Sequence, residues 1–242
     1  MTHASTSPIQ QGGIIAAGAG SRLRADGYRD SKPMVRVAGR PLMEHALDRF
    51  RAVGIRRLTV LINGESDDCR RWLAAHGGDL DLDLIVRTTP SSYASFQLVA
   101  DRLDRSPAVI TTIDGIMPRE DFRAFVTAAA GFPSGAVVLG LSDHIDDENP
   151  LWATLDATDG RILQLGGDHG SHVTAGIYVL PAQRPATPAG FVRLRDYLGW
   201  LVAEKHPVYG IVLPRVFDID RARDIVAAES TALGGGHRGD GA

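Results

Sequence analysis

Glycines and two positive charges near the start of the chain have the types and spacing to bind phosphate. The run is Gly12-Gly-Ile-Ile-Ala-Ala-Gly-Ala-Gly-Ser-Arg22, and Ser31-Lys-Pro-Met34 follows it. Glycines at positions 18 and 20 leave backbone N–H groups open to an anion, because no Cβ stands in the way. Arg22 and Lys32 add two fixed positive charges in the same loop. Together these residues predict a cradle for a triphosphate.

Polar residues also follow other predicted strands. Thr88-Thr-Pro-Ser-Ser92 comes after an apolar run, and Asp114 comes directly after the next one. Ligands of parallel α/β sheets bind beyond the carboxyl ends of the strands. We therefore expect these residues to lie at the same edge of the sheet as the glycine loop. Thr88 and Ser92 are candidates for contacts with a base or ribose, although an N-cap role would explain Ser91 or Ser92 without any ligand.

The elements that position these groups are predicted from apolar periodicity. Short apolar runs predict strands over residues 14–17, 58–62, 82–86, 108–113 and 135–141, and helical spacing predicts helices near 42–53, 65–76, 93–103 and 119–130. This alternation favours a parallel sheet with right-handed crossovers. Short strands over 151–155, 162–165 and 173–180 predict a small antiparallel excursion laid over that sheet. A helix over 192–204, a strand over 208–213 and a helix ending near 229 complete the prediction.

Composition limits the classes to which the protein can belong. The 242 residues, 44% of them hydrophobic, suit one α/β domain, predicted over residues 10–229 with disordered tails at 1–9 and 230–242. A net charge of −3 gives no basic field for nucleic acid. The single cysteine, Cys69, fits a reducing compartment. Since no apolar segment reaches the ~18 residues of a membrane span, we expect a soluble cytoplasmic protein, with a homodimer as one open alternative.

Two common nucleotide-binding motifs do not fit the glycine loop. A dinucleotide fingerprint would need a third glycine where Leu23 stands, and an acidic residue where the next strand ends at Asn63. A Walker loop would need Gly-Lys-Ser/Thr, which the loop lacks. Both classes of protein are set aside.

Three segments together resemble a known family. Ala16-Ala-Gly-Ala-Gly-Ser-Arg22, the ten-residue step to Lys32-Pro33-Met34, and Gly39-Arg-Pro-Leu42 are similar to the sugar-phosphate nucleotidyltransferases. That family includes NDP-sugar pyrophosphorylases and shorter phosphocholine cytidylyltransferases. Asp114, Thr174-Ala-Gly-Ile-Tyr178 and Asp218-Ile-Asp220 are collinear with it. The resemblance implies a Rossmann-like three-layer α/β/α nucleotide-binding sandwich of the GT-A and nucleotidyltransferase type.

The resemblance also implies roles for particular residues. Arg22 would neutralise the triphosphate, and Lys32 would contact its phosphates or the incoming phosphate. Asp114 would bind Mg²⁺ with a second ligand from Asp218 or Asp220, and Asp220 is slightly favoured. The residues expected to wrap the nucleotide are Ala16, Ala17, Gly18, Ala19, Gly20 and Ser21.

The implied reaction transfers NMP from an NTP to a small phosphorylated acceptor and releases pyrophosphate. CTP and UTP are favoured, and the acceptor would be a sugar phosphate, a polyol phosphate or a phosphocholine-like molecule. A phosphate monoester with a second pKa near 6 is already largely ionised, so no general base is needed. The difficulty is bringing anions together, which Mg²⁺, Arg and Lys would relieve.

The chain departs from the family where the acceptor phosphate normally meets a lysine. Gly166-Gly167 and Thr174 stand there instead, and Arg193 or Arg195 could substitute unless they are plain helix-surface residues. An acidic loop is either a solvated turn or a site for a cationic acceptor; its members are Asp143, Asp146, Asp147 and Glu148. His169 and His172 resemble a weak metal-binding cluster, but we expect them to be exposed loop residues.

Four alternatives to this interpretation stay open. A molybdopterin-type nucleotidyltransferase would share the fold, and a non-catalytic nucleotide sensor would keep the phosphate cradle but lose metal-dependent turnover. Asp114 could merely cap the next helix, and Asp218 and Asp220 could merely stabilise a helix start through the helix dipole.

Overall fold

A computed structural model describes residues 9–145, 149–185 and 188–231 of the chain. The strands are β1 (Gln11–Ala16), β2 (Arg36–Val37), β3 (Arg40–Pro41), β4 (Arg57–Ile62), β5 (Asp81–Val86), β6 (Ala108–Thr112), β7 (Gly115–Ile116), β8 (Val137–Ser142), β9 (Trp152–Leu155), β10 (Ile162–Leu165), β11 (His172–Leu180), β12 (Val208–Val212) and β13 (Phe217–Asp218). The helices are α1 (Ser21–Ala25), α2 (Leu42–Ala52), α3 (Asp67–His76), α4 (Ser92–Ala100), α5 (Arg119–Ala129), α6 (Leu194–Ala203) and α7 (Ala222–Thr231), with a 3₁₀ turn at Lys32–Met34.

The main sheet is built around a parallel core. Its strand order is β10-β9-β11-β6-β1-β4-β5, and β1 pairs in parallel with both β4 and β6. Ala16 lies opposite Ile62, and Ile15 lies opposite Thr112, so these three strands end together. The loops that follow them therefore start at one edge of the sheet, as predicted from their polar residues.

Helices cover both faces of this sheet, which confirms the predicted three-layer α/β/α architecture. On one face, α2, α3, α5 and α7 pack in a cluster with Phe50 and Phe122. On the other face, α4 and α6 pack in a second cluster with Phe96 and Tyr178. Both clusters consist of residues that are almost completely buried, so the sheet is a buried layer between two apolar cores.

The predicted antiparallel excursion is placed differently from the prediction. β11 does not lie over the sheet but within it, antiparallel to β6 on one side and to β8 on the other. β8 was expected beside the other parallel strands. It pairs instead with β11, in the antiparallel direction, and with β12, in parallel. The reason is burial: Ile177 and Tyr178 lie in the opposite apolar clusters, so β11 needs a helix layer on each face.

Several sequence-based predictions fall at the limits of the described residues. Asp146, Asp147 and Glu148 of the acidic loop lie outside them, as does most of both predicted tails. Ile9 is buried and Ser230 lies in α7, so helical and core structure reaches slightly beyond residues 10–229. No helix in the described ranges is long and apolar enough to cross a membrane.

Candidate functional site

A two-residue ladder joins two acidic segments that are far apart in the sequence. β7 directly follows Asp114, and it pairs with β13 so that Gly115 lies opposite Asp218. The Ile219 N–H donates to the Asp114 backbone oxygen at 3.1 Å. The ladder thus holds Asp114, Asp218 and Asp220 beside each other at the end of β6. The next helix, α5, begins after Pro118, so the alternative of Asp114 as its cap is wrong.

Four of the predicted site residues form one ion-pair network. Lys32 Nζ donates to Asp114 Oδ2 at 2.9 Å and to Asp220 Oδ1 at 2.5 Å. Arg22 Nη1 donates to Asp220 Oδ2 at 2.5 Å. The Lys32 side chain is only 7% exposed, whereas that of Arg22 is 40% exposed. The two cations therefore neutralise two carboxylates, and Arg22 still faces the solvent.

The network keeps Lys32 and Asp114 charged. Burial alone would lower the pKa of Lys32, but the charges of Asp114, Asp220 and Asp218 outweigh burial and raise this pKa above its usual range. Burial would likewise raise the pKa of Asp114, and the Lys32 ammonium together with hydrogen bonds holds it below its ordinary value. Both groups are thus ionised at neutral pH.

The glycine loop lies directly above Lys32. Gly20 has a φ of +63°, which L-residues rarely adopt, and a Cβ there would lie 3.1 Å from the Lys32 Cβ. Gly18 and Ala19 are exposed, as is Ser21, whereas Ala16 and Ala17 are buried. The backbone N–H groups of residues 18–20 make no hydrogen bond within the described ranges. This part of the loop can accept an anion without losing an internal bond.

Asn63 connects the glycine loop to the loop after β5, whereas the sequence predicted it only as the end of a strand. Its Nδ2 donates to the Ala17 backbone oxygen at 2.8 Å, and its Oδ1 accepts from Thr88 Oγ1 at 3.1 Å and from the Glu65 N–H at 3.0 Å. An amide can donate and accept at once, which is why it can hold two loops together. The sequence feature that could have identified Asn63 as a site residue is its position directly after β4.

The serines near α4 have structural partners. Ser91 Oγ accepts from the Ala94 N–H at 3.1 Å, so the capping alternative is confirmed for Ser91. Ser92 Oγ accepts from the Leu194 N–H at 3.0 Å, which joins α4 to the start of α6. Ser92 and Thr88 are exposed. Their hydroxyl groups remain candidates for nucleotide contacts, and these roles stay predictions.

A cavity of about 210 Å³ opens beside Asp114 and Asp218. Polar side chains in its wall are Thr112, Ser142, His144, Thr174 and Tyr178. Tyr178 is 5% exposed, and its hydroxyl has no hydrogen-bond partner in the described part of the chain. Burial, followed by the charges of Asp114 and Asp218, raises the pKa of this phenol. The cavity therefore presents a protonated phenol and several hydroxyl groups to any molecule next to Asp114.

The two arginines considered as substitutes for the family's lysine differ. Arg193 forms an exposed ion pair with Asp196 at 2.9 Å, which matches the helix-surface alternative. Arg195 Nη2 donates to the Asn149 backbone oxygen at 2.7 Å. Asn149 is directly followed by two residues of the cavity wall. Arg195 is thus the one of the two that contacts the segment bordering the cavity.

The other weak candidates do not join the site. His169 is exposed in a loop, as expected. His172 is half-buried at the start of β11, so its expected position in an exposed loop is wrong, and it shares a hydrogen bond with the neighbouring Ser171 hydroxyl at 2.8 Å. Cys69 is buried, and burial raises its thiol pKa to about 12. Across the described ranges, no three His, Cys, Asp or Glu side chains come together as a metal-binding group. Asp114 and Asp220 are thus the two carboxylates of the site that share a cation, the Lys32 ammonium, and Asp218 beside them does not complete a group of three.

Known proteins match parts of this chain in sequence. The chain is 28% identical to CMP-5′-(3-aminopropyl)phosphonate synthase of Streptomyces rubellomurinus over 95 residues, which are 38% of this chain and 15% of the relative. It is 23% identical to a probable mannose-1-phosphate guanylyltransferase 2 of Arabidopsis thaliana over 232 residues, 88% of this chain and 62% of the relative. The chain thus spans less than two thirds of the length of these relatives.

A solved structure shares the fold over almost the whole chain. The inositol-1-phosphate CTP transferase from T. maritima superposes with a TM-score of 0.75 at 17% identity, covering 95% of this chain and 98% of that one. A family profile described as MobA-like NTP transferase domain matches residues 12–186. These findings confirm the predicted resemblance to nucleotidyltransferases. The chain belongs to the family of MobA-like NTP transferase domains.

Proposed function

We propose that this protein is a Mg²⁺-dependent nucleotidyltransferase that joins an NMP to a small phosphorylated acceptor and releases pyrophosphate. The observation that carries the proposal is the network in which Lys32 and Arg22 neutralise Asp114 and Asp220. Two cations and two carboxylates in contact are the groups needed to receive a metal together with a triphosphate. The glycine loop above them supplies backbone N–H donors.

The charges of the network balance for this exchange of partners. A triphosphate would accept Lys32 and Arg22, and a divalent metal would take the carboxylates that they leave. Either ligand alone would leave like charges facing each other in a partly buried site, because Lys32 is 7% exposed. We therefore expect metal and nucleotide to bind far more tightly together than separately.

The residues fit a magnesium ion. The Lys32 ammonium already lies between the oxygens of Asp114 and Asp220, so this position accepts a cation. Mg²⁺ prefers oxygen ligands, and it is commonly held by one or two carboxylates with substrate phosphates and water. Asp114 and Asp220 would hold it here, and Asp218 would face the cavity. When bound, the ion supplies charge neutralisation at the phosphate oxygens.

The chain's own residues would bind and orient the reactants. Lys32 and Arg22 would hold the phosphate oxygens as pyrophosphate leaves, and loop residues 18–21 would fix the triphosphate. The acceptor phosphate is already ionised near neutral pH, so no side chain has to remove a proton. Positioning and charge neutralisation would thus supply the catalysis.

Cytosine is our first choice for the base, with uracil second. The relative from S. rubellomurinus is named for a CMP product, and the structural neighbour from T. maritima is named a CTP transferase. Thr88 and Ser92 are the side chains proposed to contact the base or ribose. The relative from A. thaliana is named a guanylyltransferase, so all four NTPs belong in the test.

The acceptor is proposed to bind in the cavity beside Asp114. Its hydroxyl-bearing wall suits a small polar molecule whose phosphate reaches toward Asp114. Sugar phosphates, polyol phosphates, phosphocholine-like molecules and phosphonates are the acceptor classes that we propose. Arg195 is the residue we propose to stand in for the family's lysine, because it contacts the segment bordering the cavity.

Pyrophosphate release tests this function. The purified protein is incubated with each of the four NTPs, Mg²⁺ and one member of each proposed acceptor class. A molybdopterin acceptor is added to the panel to test the alternative enzyme class. We expect pyrophosphate only when one NTP and one acceptor are both present, and Asp114→Asn should abolish it. Tight NTP binding without release for any pair would favour the nucleotide sensor. Normal turnover by Asp114→Asn would contradict the metal role of Asp114.

A further inference from the structure

Arg49 is a buried cation that the proposed reaction does not use. It lies on α2 and is 2% exposed, which places a full positive charge inside the apolar core. Buried charges are costly unless they are paired and fully hydrogen-bonded. A guanidinium in such a place therefore calls for a specific compensating contact.

The contacts of Arg49 are few, and one of them reaches the site. Its Nη1 donates to the Gly115 backbone oxygen at 2.6 Å, and its Cζ lies 5.9 Å from the Phe122 ring centroid. Its buried Nε has no hydrogen-bond partner, and no carboxylate of the described residues lies within ion-pair distance of it. The Gly115 backbone oxygen is thus the hydrogen-bond acceptor that the described residues offer to this buried cation.

That carbonyl belongs to the residue at which the acidic segments meet. Gly115 follows Asp114 and lies opposite Asp218 in the β7–β13 ladder. Burial lowers the pKa of Arg49 to about 10, and the charge of Asp114 opposes this shift, so Arg49 stays charged and interacts electrostatically with Asp114. Arg49 thus holds the turn after Asp114 from within the core.

We propose that Arg49 is a positioning residue for Asp114. It holds the Asp114–Gly115 turn so that the Asp114 carboxylate faces Lys32 and the cavity. This inference rests on the proposed function, because it assumes that Asp114 binds metal. Outer-sphere partners that orient a metal ligand are worth about 10–100-fold in metal affinity. We expect an effect of that size on metal binding when the guanidinium is removed.

The test compares Arg49→Met and Arg49→Lys with a matched control, Arg184→Met. Arg184 also donates to backbone oxygens, those of Ala100 and Leu103, and its buried Nε also lacks a partner. It lies beyond Leu180, which pairs with Ala108 at the start of β6, whereas Asp114 follows the other end of that strand. Arg184→Met should therefore cost stability without reaching the site.

Mn²⁺ binding is measured by electron paramagnetic resonance with each of the four NTPs and no acceptor, beside thermal unfolding. We expect both Met variants to unfold at lower temperature. Of the two Met variants, only Arg49→Met should weaken Mn²⁺ binding, by about 10–100-fold. Arg49→Lys keeps the charge and one donor, so it should weaken binding less than Arg49→Met but measurably relative to the wild type.

The possible outcomes separate this inference from the proposed function. Wild-type Mn²⁺ affinity in Arg49→Met, or equal weakening in Arg184→Met, would overturn the positioning role and leave the proposed function standing. If Arg49→Met does not fold, wild-type affinity in Arg49→Lys would overturn it instead. A wild-type protein that binds no Mn²⁺ with any NTP would overturn the metal role of Asp114 and the Arg49 inference together.

Discussion

At the scale of single residues, Lys32 has a role before any ligand arrives. Its ammonium lies between Asp114 and Asp220 and is almost completely buried. It thus occupies the place that a metal would take, while the proposed reaction needs the same ammonium on the phosphates. Removing its charge should therefore have opposite effects on metal binding and on turnover.

We predict that Lys32→Gln binds Mn²⁺ more tightly than the wild type in the absence of nucleotide. Two carboxylates that lose a partner at 2.5–2.9 Å should bind a divalent cation more than about tenfold better. Nucleotidyl transfer should fall by a factor on the order of 10²–10³, as when a transition-state stabilising donor is lost. Mn²⁺ titration and pyrophosphate release measure the two effects.

Lys205→Gln is the matched control, since Lys205 is the only other lysine of the chain and is exposed after α6. We expect wild-type metal binding and turnover from it. Unchanged Mn²⁺ binding in Lys32→Gln would contradict the competition between Lys32 and metal.

The residues of the site were predictable to different degrees. Asp114 comes after the end of β6, and Arg22 and Lys32 lie in the segment between β1 and β2. Both segments start at the same edge of the parallel sheet, so the sequence predicted that these residues lie close together, as they do. Arg49 was not predictable, because an arginine within an amphipathic helix looks like a surface residue. Its burial depends on the turn of Gly115, which arrives from a distant segment.

At the scale of elements, Asp48 joins α2 to two other segments. Its carboxylate accepts from Arg40 of β3, from Arg51 of α2 at 3.2 Å and from Arg119 of α5 at 2.8 Å. The Asp48 side chain is 17% exposed. Burial would raise its pKa, but hydrogen bonds and charge from the arginines hold the pKa below its ordinary value. The network thus stabilises the packing of α2 only while Asp48 is ionised.

We predict that Asp48→Asn lowers the free energy of unfolding by about 1–3 kcal/mol at pH 7. A carboxylate whose folded pKa lies below its unfolded value of about 3.9 stabilises the fold above that value. This stabilisation is lost as the pH falls through the folded pKa. The difference between variant and wild type should therefore shrink below about pH 4, and urea unfolding at pH 7, 5 and 3 measures it.

Asp67→Asn is the control, because Asp67 and Arg70 form an exposed pair within α3. It should change stability little at any of these pH values. A loss for Asp48→Asn that persists undiminished at pH 3 would contradict the electrostatic explanation.

The order of the strands was less predictable than their existence. Periodicity is local, so it predicted the alternating elements of the first half and the short strands after residue 151. The pairing of β11 with β6 and β8 joins distant segments. Local periodicity contains no signal for such a pairing. Only the burial of both faces of β11 explains it.

At the scale of the whole molecule, both helix layers pack tightly against β1. A Cβ on Gly12 would lie 2.2 Å from Phe50 Cε1, and a Cβ on Gly13 would lie 2.4 Å from Val99 Cγ1. Phe50 belongs to α2 and Val99 to α4, so the two glycines face opposite layers. The three-layer packing thus depends on the absence of side chains at these two positions.

We predict that Gly12→Ala lowers the free energy of unfolding by about 1–3 kcal/mol, because the fully buried Phe50 ring must move. Gly135→Ala is the control, since nothing lies within 4 Å of its added Cβ. It should be close to neutral. Chemical denaturation of both variants measures the effect, and equal stability of Gly12→Ala and the wild type would contradict the tight approach of α2 to β1.

The proposed reaction transfers the nucleotidyl group, which contains the α-phosphate, from an NTP to a phosphorylated acceptor at the Lys32–Asp114–Asp220 network. The most direct measurement follows label from α-³²P and γ-³²P NTP, once a productive NTP and acceptor pair is found by pyrophosphate release. We predict that the α label appears in the acceptor product and the γ label in pyrophosphate. Label from the γ position in the acceptor, or α label only in free NMP, would contradict nucleotidyl transfer.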